Sequence, residues 1–165
     1  MKWIGVSGSW RVSNEELCRD VQASVAHVVQ QGDGIVSGGA LGVDQVATEE
    51  ALRHNPAADR IKIIIPSTLE IFAAHYRKRA NEGVITAEQA ESLVGLLTAI
   101  KTKGALTEMD YTELNPTSYY ARNTAVLEAS DELLVFQVNN SAGTQDTIDK
   151  AHERGMPITL KQYEI

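Results

Sequence analysis

Residues Gly34–Asp44, reading Gly-Ile-Val-Ser-Gly-Gly-Ala-Leu-Gly-Val-Asp, constrain this chain more than any other stretch. A short buried strand runs into a turn of small residues, and the first turn of a helix follows. Adjacent glycines let the backbone take positive φ and come close to a bound group. The helix behind them starts with unpaired N–H groups and a positive dipole end, which predicts an anion such as a phosphate in front of it. Strand, tight turn and helix in this order are the unit of a parallel α/β sheet.

The rest of the chain repeats that unit. Lys2–Ser7 reads as a buried strand ended by Gly8-Ser9. Ser13 with Glu16 predicts a capping box, and Leu17, Val21, Val25 and Val28 then recur at helical spacing up to Gly32-Asp33-Gly34. Ile35–Ser37 is the second strand. Val43, Val46, Ala47 and Ala51 mark the inward face of a helix that halts near Asn55-Pro56, and Ile61–Ile65 is the third strand. Thr68–Ala80 predicts a helix with Ile71, Phe72 and Tyr76 on one side. Thr86 with Gln89 caps another, which carries Ala90, Leu93, Val94, Leu97 and Ile100 to Gly104. Ala105–Asn115 has weak periodicity and reads as loop. Pro116 opens a helix to Ser130, Leu133–Val138 forms a strand, and Asn139–Thr144 is a polar loop. A helix through Ile148 and Ala151 ends at Gly155, before a fifth strand over Pro157–Leu160. Strands too apolar for one-sided burial, alternating with helices, predict a sheet covered on both faces with right-handed crossovers. The expectation is an α/β, Rossmann-like doubly wound, mainly parallel sheet of about five strands, built as one domain over residues 1–165 with an α-helical insertion at 67–115 between the third and fourth strands.

Composition narrows the function classes. Hydrophobic residues at 43% and charged residues at 22% are those of a globular chain. No apolar run approaches the roughly 18 residues of a membrane span, so no membrane partner is expected. Met1–Val6 enters a strand at once, without the layout of a signal peptide. One cysteine, Cys18, excludes an internal disulfide and fits a reducing cytoplasm. A net charge of −7 argues against nucleic acid as a partner. His27, His54, His75 and His152 lack metal-ligand spacing, so no metal site is expected.

Three turns follow strands that should be parallel: Gly8-Ser9-Trp10, Gly38-Gly39-Ala40 and Ser141-Ala142-Gly143-Thr144. In an open doubly wound sheet, ligands bind outside the carboxyl ends of the strands. Converging Gly, Ser and Thr there point to a nucleotide or another phosphorylated small molecule, with no other cofactor. Neither GxGxxG nor GxxxxGK[ST] occurs, which leaves an ATP-hydrolysing P-loop unsupported. Arg122 offers a planar, permanently charged fork for a phosphate. Asp44 can accept a ribose hydroxyl, act as a base, or only stabilise a helix dipole. Trp10 can stack on a base or pack at the rim. Tyr119 shares the face of Arg122, as ligand platform or core contact. His75, Arg77, Lys78 and Arg79 form a basic cluster, either a solvated helix face or a contact for phosphate or nucleic acid.

These stretches also resemble a family. SGGALGVDQVA at Ser37–Ala47 resembles the SGGARGxD segment of the Rossmann-like superfamily that includes DprA, the LOG phosphoribohydrolases, the molybdenum-cofactor-carrier-like proteins and the YspA/YpsA-type proteins. VSGSW at Val6–Trp10 is similar to its first-strand turn. ARNTAVLEASDELLVF at Ala121–Phe136 and SAGTQDTIDKAHERGMPI at Ser141–Ile158 are similar to its arginine–asparagine helix and its GT turn. The region between Ser67 and Asn115 carries no such likeness. The resemblance implies that Gly38, Gly39, Gly143 and Thr144 face phosphate and ribose, and that Arg122, Asn123 and Asp44 belong to the site. Two departures stand out. Thr147 occupies the place of the LOG catalytic glutamate, and Asp146, about 100° away round the helix, could replace it only if the turn shifts. Leu41 replaces the arginine of SGGARG, removing a cation where DNA-binding relatives carry one.

The resulting expectation is a nucleotide-binding site made by Gly8, Ser9, Trp10, Gly38, Gly39, Ala40, Asp44, Arg122, Asn123, Ser141, Gly143 and Thr144. One alternative is a phosphoribohydrolase-like enzyme cleaving an N-glycosidic bond through Asp44 or Asp146. Another is DprA-like binding of single-stranded DNA. The amphipathic helix at Thr86–Lys103 is expected to pack on a second subunit, giving a homodimer, or to roof the pocket.

Overall fold

A computed structural model describes the whole chain, residues 1–165, as six strands and six helices in strict order along most of its length. They are β1 (Trp3–Gly8), α1 (Glu15–Gln30), β2 (Gly34–Ser37), α2 (Val43–His54), β3 (Ile61–Ile65), α3 (Leu69–Asn81), α4 (Ala87–Thr102), β4 (Leu106–Glu108), α5 (Pro116–Glu128), β5 (Glu132–Val138), α6 (Ala142–Glu153) and β6 (Ile158–Tyr163). The strands form one sheet in the order β4-β3-β2-β1-β5-β6, and every neighbouring pair is parallel. The chain starts at the centre, winds outward to β4, then crosses back over β1 to build β5 and β6. That reversal leaves a crevice at the carboxyl ends of β1 and β5, where Gly8 pairs with Phe136.

Period-2 alternation on β5 shows how both faces are filled. Leu134 and Phe136 join the main core with α1, α2, α3 and α4, whereas Leu133 and Val135 pack with Leu127 of α5 and Ile148 of α6. On α1 the buried row is Leu17, Val21, Val25 and Val29, a strict i+4 series, so Val29 takes the inward place expected of Val28. The cap of α1 is Asn14 and not Ser13: its side chain accepts the Leu17 N–H at 2.9 Å. The Thr86–Gln89 capping box of α4 forms as expected.

The middle region departs from expectation in one strand and in what α4 packs against. Leu106–Glu108, expected as loop, is a sixth strand paired with Ile63–Ile65. Three residues are too few to show a period, and only the waiting edge of β3 recruits them. The helix expected to meet a second subunit is α4, and its apolar face is already covered. Leu93, Leu97 and Ile100 are buried in the main core of the same chain, each worth about 1.5–3 kcal/mol of burial. None of its residues reaches the cavity described below, so it does not roof the site either. No helix is long and apolar enough to cross a membrane.

Candidate functional site

A cavity of about 550 Å³ opens at the carboxyl ends of the central strands, in the size range of small-ligand sites. The turn after β1 contributes Gly8, Ser9 and Trp10 to its wall. Gly38, Ala40 and Asp44 come from the turn after β2, and Ser141, Gly143 and Thr144 from the start of α6. Helix α5 adds Arg122 and Asn123. Eleven of the twelve expected binding residues therefore meet in one place. The exception is Gly39. Its φ of +70° turns it toward Ile63, Ile65 and Leu97, where a Cβ would strike Ile65 at 2.7 Å. It shapes the turn from the core side.

The turn after β2 is closed from two directions. Gly42, at φ +96°, lies so near the β1–α1 loop that a Cβ there would stand 2.6 Å from the Ser9 carbonyl oxygen and 2.8 Å from the Arg11 nitrogen. Val43 N–H donates to Ser9 O and Arg11 N–H to Leu41 O, both at 3.3 Å. Asp44 Oδ2 accepts the Ala40 N–H at 3.1 Å. A loop carbonyl and an internal carboxylate thus take the position where the sequence predicts a phosphate in front of α2.

The start of α6 is arranged the other way. Ser141 at the cap makes no side-chain bond to a helix amide, its hydroxyl donating instead to the side-chain Oγ1 of Thr144 at 2.9 Å. The first intrahelical bond is Gln145 N–H to Ser141 O. The amides of Ala142, Gly143 and Thr144 are left as free donors at the positive end of the dipole. Around Gly143 the space is open to 4 Å. This end of α6 is the open one.

Arg122 stands beside it as a buried cation, 8% exposed. Its Nη1 donates to the Gly38 carbonyl, its Nε donates to Asn123 Oδ1 at 3.2 Å, and its guanidinium lies 5.5 Å from the centre of the Tyr119 ring. A Cβ on residue 38 would come within 2.8 Å of the guanidinium, so glycine there makes room for Arg122. Asn123 Nδ2 in turn donates to Gly143 O at 3.4 Å and to Asp146 Oδ2 at 3.3 Å, tying α5 to the start of α6. Asp146 is paired with Lys150 at 2.9 Å and is absent from the cavity wall, which removes it as the substitute carboxylate. Helix phase is the reason: the inward place one residue on belongs to Thr147, buried at the wall with its hydroxyl 3.4 Å from Gly143 O.

Burial pushes the Asp44 carboxyl above its ordinary range. The Arg122 charge, the Ala40 N–H, the Ser37 hydroxyl and the Gly38 N–H oppose that rise. Part of the same cavity wall is aromatic. Trp10 meets Tyr76 edge to face at 6.4 Å, and His75 meets Tyr119 at 6.4 Å. Burial raises the phenols of Tyr76 and Tyr119, so both remain neutral donors. Burial, followed by Arg79 and Lys78, lowers His75, which favours its neutral form. The basic cluster divides. His75 and Arg79 reach the wall, whereas Arg77 turns out to Glu91 at 2.9 Å. Leu41 is in the core, its N–H donating to the Tyr76 hydroxyl at 3.2 Å.

Several wall residues lie outside the expected set, among them Ser7, Val84, Asn115 and Pro116. Helical spacing signals some others: Tyr119 and Val126 lie three before and four after Arg122, Thr147 three after Thr144, and His75 and Tyr76 four and three before Arg79.

The profile of a protein family described as DNA recombination-mediator protein A matches residues 1–164. The DNA processing protein A of Helicobacter pylori, solved for its single-stranded DNA binding mode, is similar with a TM-score of 0.67 at 21% identity. That match covers 95% of this chain and 64% of the other. DprA from Streptococcus pneumoniae gives a TM-score of 0.53 at 17% identity, over 96% of this chain and 58% of that one. The structural-genomics target TM1055 gives 0.52 at 16%, over 96% and 72%. The chain thus spans less than two thirds of the two DprA chains, and these likenesses establish a shared fold. No curated protein matches it in sequence.

Proposed function

The chain belongs to the DNA recombination-mediator protein A family, and from that premise we propose that it binds a nucleotide or nucleotide-derived phosphorylated molecule at the crevice between β1 and β5. One observation carries the reading: an uncapped α6 N-terminus and a buried Arg122 face the same cavity. Free amides and a planar cation are the groups that hold a phosphate. The neutral aromatic wall supplies a surface for a base. Cleavage of a glycosidic bond by two flanking carboxylates has less support, because Asp44 is the one acidic side chain in the wall. Calorimetric titration with inorganic phosphate and nucleoside 5′-monophosphates tests the proposal. Micromolar to millimolar binding that Arg122→Lys weakens is the expected result. Absence of heat with every one of these ligands overturns it.

The family favours a second reading, single-stranded DNA. The net charge argues against it, yet membership and the Helicobacter pylori relative leave that exclusion unsupported. Arg79 at the wall and Arg11, its guanidinium 5.1 Å from the centre of the Trp10 ring, offer cations near the mouth. A strand held by phosphate contacts loses affinity steeply with salt and gains it with length. Oligothymidylates of increasing length, titrated at low and at physiological salt, separate this from binding of a free nucleotide.

A further inference from the structure

The cavity wall is uneven in charge. Arg79 and Arg122 supply cations, and Asp44 alone supplies an anion. Asp44 is 7% exposed, and its Oδ2 is fixed by the Ala40 N–H at 3.1 Å. Oδ1 makes no hydrogen bond of ordinary geometry, although the Ser37 hydroxyl and the Gly38 N–H lie close to the carboxyl and favour its charged form. The nearby Arg122 does not serve it: its Nη1 and Nε are engaged by Gly38 O and Asn123 Oδ1, and no ion pair joins the two residues. A carboxylate oxygen at the cavity wall with lone pairs to spare is stabilised by a donor that a ligand brings. A phosphate carries negative charge and is repelled by it. A sugar hydroxyl donates readily and carries no charge.

We propose that Asp44 Oδ1 accepts a hydrogen bond from the 2′-hydroxyl of a bound nucleotide, so that the site selects ribonucleotides over 2′-deoxyribonucleotides. This rests on the nucleotide reading above and sharpens it. The Ala40 bond holds the carboxylate in place before the ligand arrives, which reduces the ordering needed on binding. The free α6 amides take the phosphate, well served by positive charge, and the carboxylate takes the neutral donor. An internal nucleotide of a DNA strand has no 2′-hydroxyl and an esterified 3′-oxygen. It brings no sugar donor, so this cavity suits a free ribonucleotide better than a strand.

The test compares the four ribonucleoside 5′-monophosphates with their 2′-deoxy counterparts and with inorganic phosphate, by calorimetry, on the wild-type chain and on Asp44→Asn. The amide keeps an oxygen for Ala40 and turns a donor, where an acceptor stood, toward the cavity. The wild type should bind at least one ribonucleotide about tenfold more tightly than its deoxy form, the scale of one charge-assisted hydrogen bond. In Asp44→Asn that ratio should collapse toward one while phosphate binds at least as well as before. Equal affinities for ribo and deoxy forms in the wild type overturn the inference and leave nucleotide binding intact. A preference that survives in Asp44→Asn removes Asp44 from the role. No binding of phosphate or any nucleotide overturns both readings together.

Discussion

Two strand-to-helix turns flank the crevice, one after β2 and one after β5, and both read in sequence as small-residue loops before a helix. They are built differently. The first is sealed: Gly42 abuts the β1–α1 loop, Val43 N–H is taken by Ser9 O, and Ala40 N–H by the chain's own Asp44. The second is open, with Ser141 withholding its side chain from the helix amides and no atom within 4 Å of a Cβ on Gly143. Local composition cannot tell them apart. Whether a helix N-terminus is free to hold an anion depends on what the neighbouring loop does, and that loop is more than 25 residues away in the chain for α2.

The largest expected effect exploits the seal. Gly42→Ala places a Cβ against two backbone atoms at positive φ, and should destabilise the fold by about 3 kcal/mol or more. Urea unfolding measures it, and a loss under about 1 kcal/mol would mean that the two loops are not locked together. Next comes Arg122→Lys, which keeps the charge and removes the fork. It should lower phosphate affinity about tenfold or more, and unchanged affinity in calorimetry would detach Arg122 from anion binding.

Asp44→Asn probes the sealed turn by pH. The folded-state pKa of Asp44 is raised above its unfolded value. Its protonated form therefore favours the fold, and that contribution is lost as pH rises through the folded pKa. At pH 7 the variant should melt above the wild type, with the gap closing as the pH falls below about 4. Thermal melts across that range decide it: a variant less stable at neutral pH would contradict the strain assigned to the buried carboxylate. The smallest effect belongs to the open turn. Gly143→Ala should leave stability within about 0.5 kcal/mol and still weaken phosphate binding, because the new methyl stands at the helix end where the proposal puts the anion. Equal destabilisation by Gly42→Ala and Gly143→Ala would erase the contrast altogether.

Much of the fold was legible. Ile61–Ile65 matches its strand to the residue, the Thr86–Gln89 box forms, and Pro116 opens α5. These signals are local, set by side-chain spacing and backbone chemistry. β4 was not legible, because three residues acquire strand character only beside β3. The residues that line the cavity were legible as a set, and their orientations were not. Gly39 faces the core and Gly38 faces Arg122, although the two are adjacent and identical in type. Asp146 and Thr147 differ by one helical step, and that step decides which of them reaches the cavity. The apolar face of α4 was visible in the sequence, but not what covers it.

By itself, the sequence determined a parallel α/β sheet, the three turns at its carboxyl edge and the residues that gather there, since periodicity, capping and glycine placement act within a few residues. The tertiary structure decided the rest. It sealed the Gly38–Gly42 turn with Ser9 and Asp44, turned α4 inward and left the start of α6 open to the cavity. The reason is physical: a backbone amide is a donor wherever it occurs, and only packing against distant parts of the chain determines whether that donor is already satisfied.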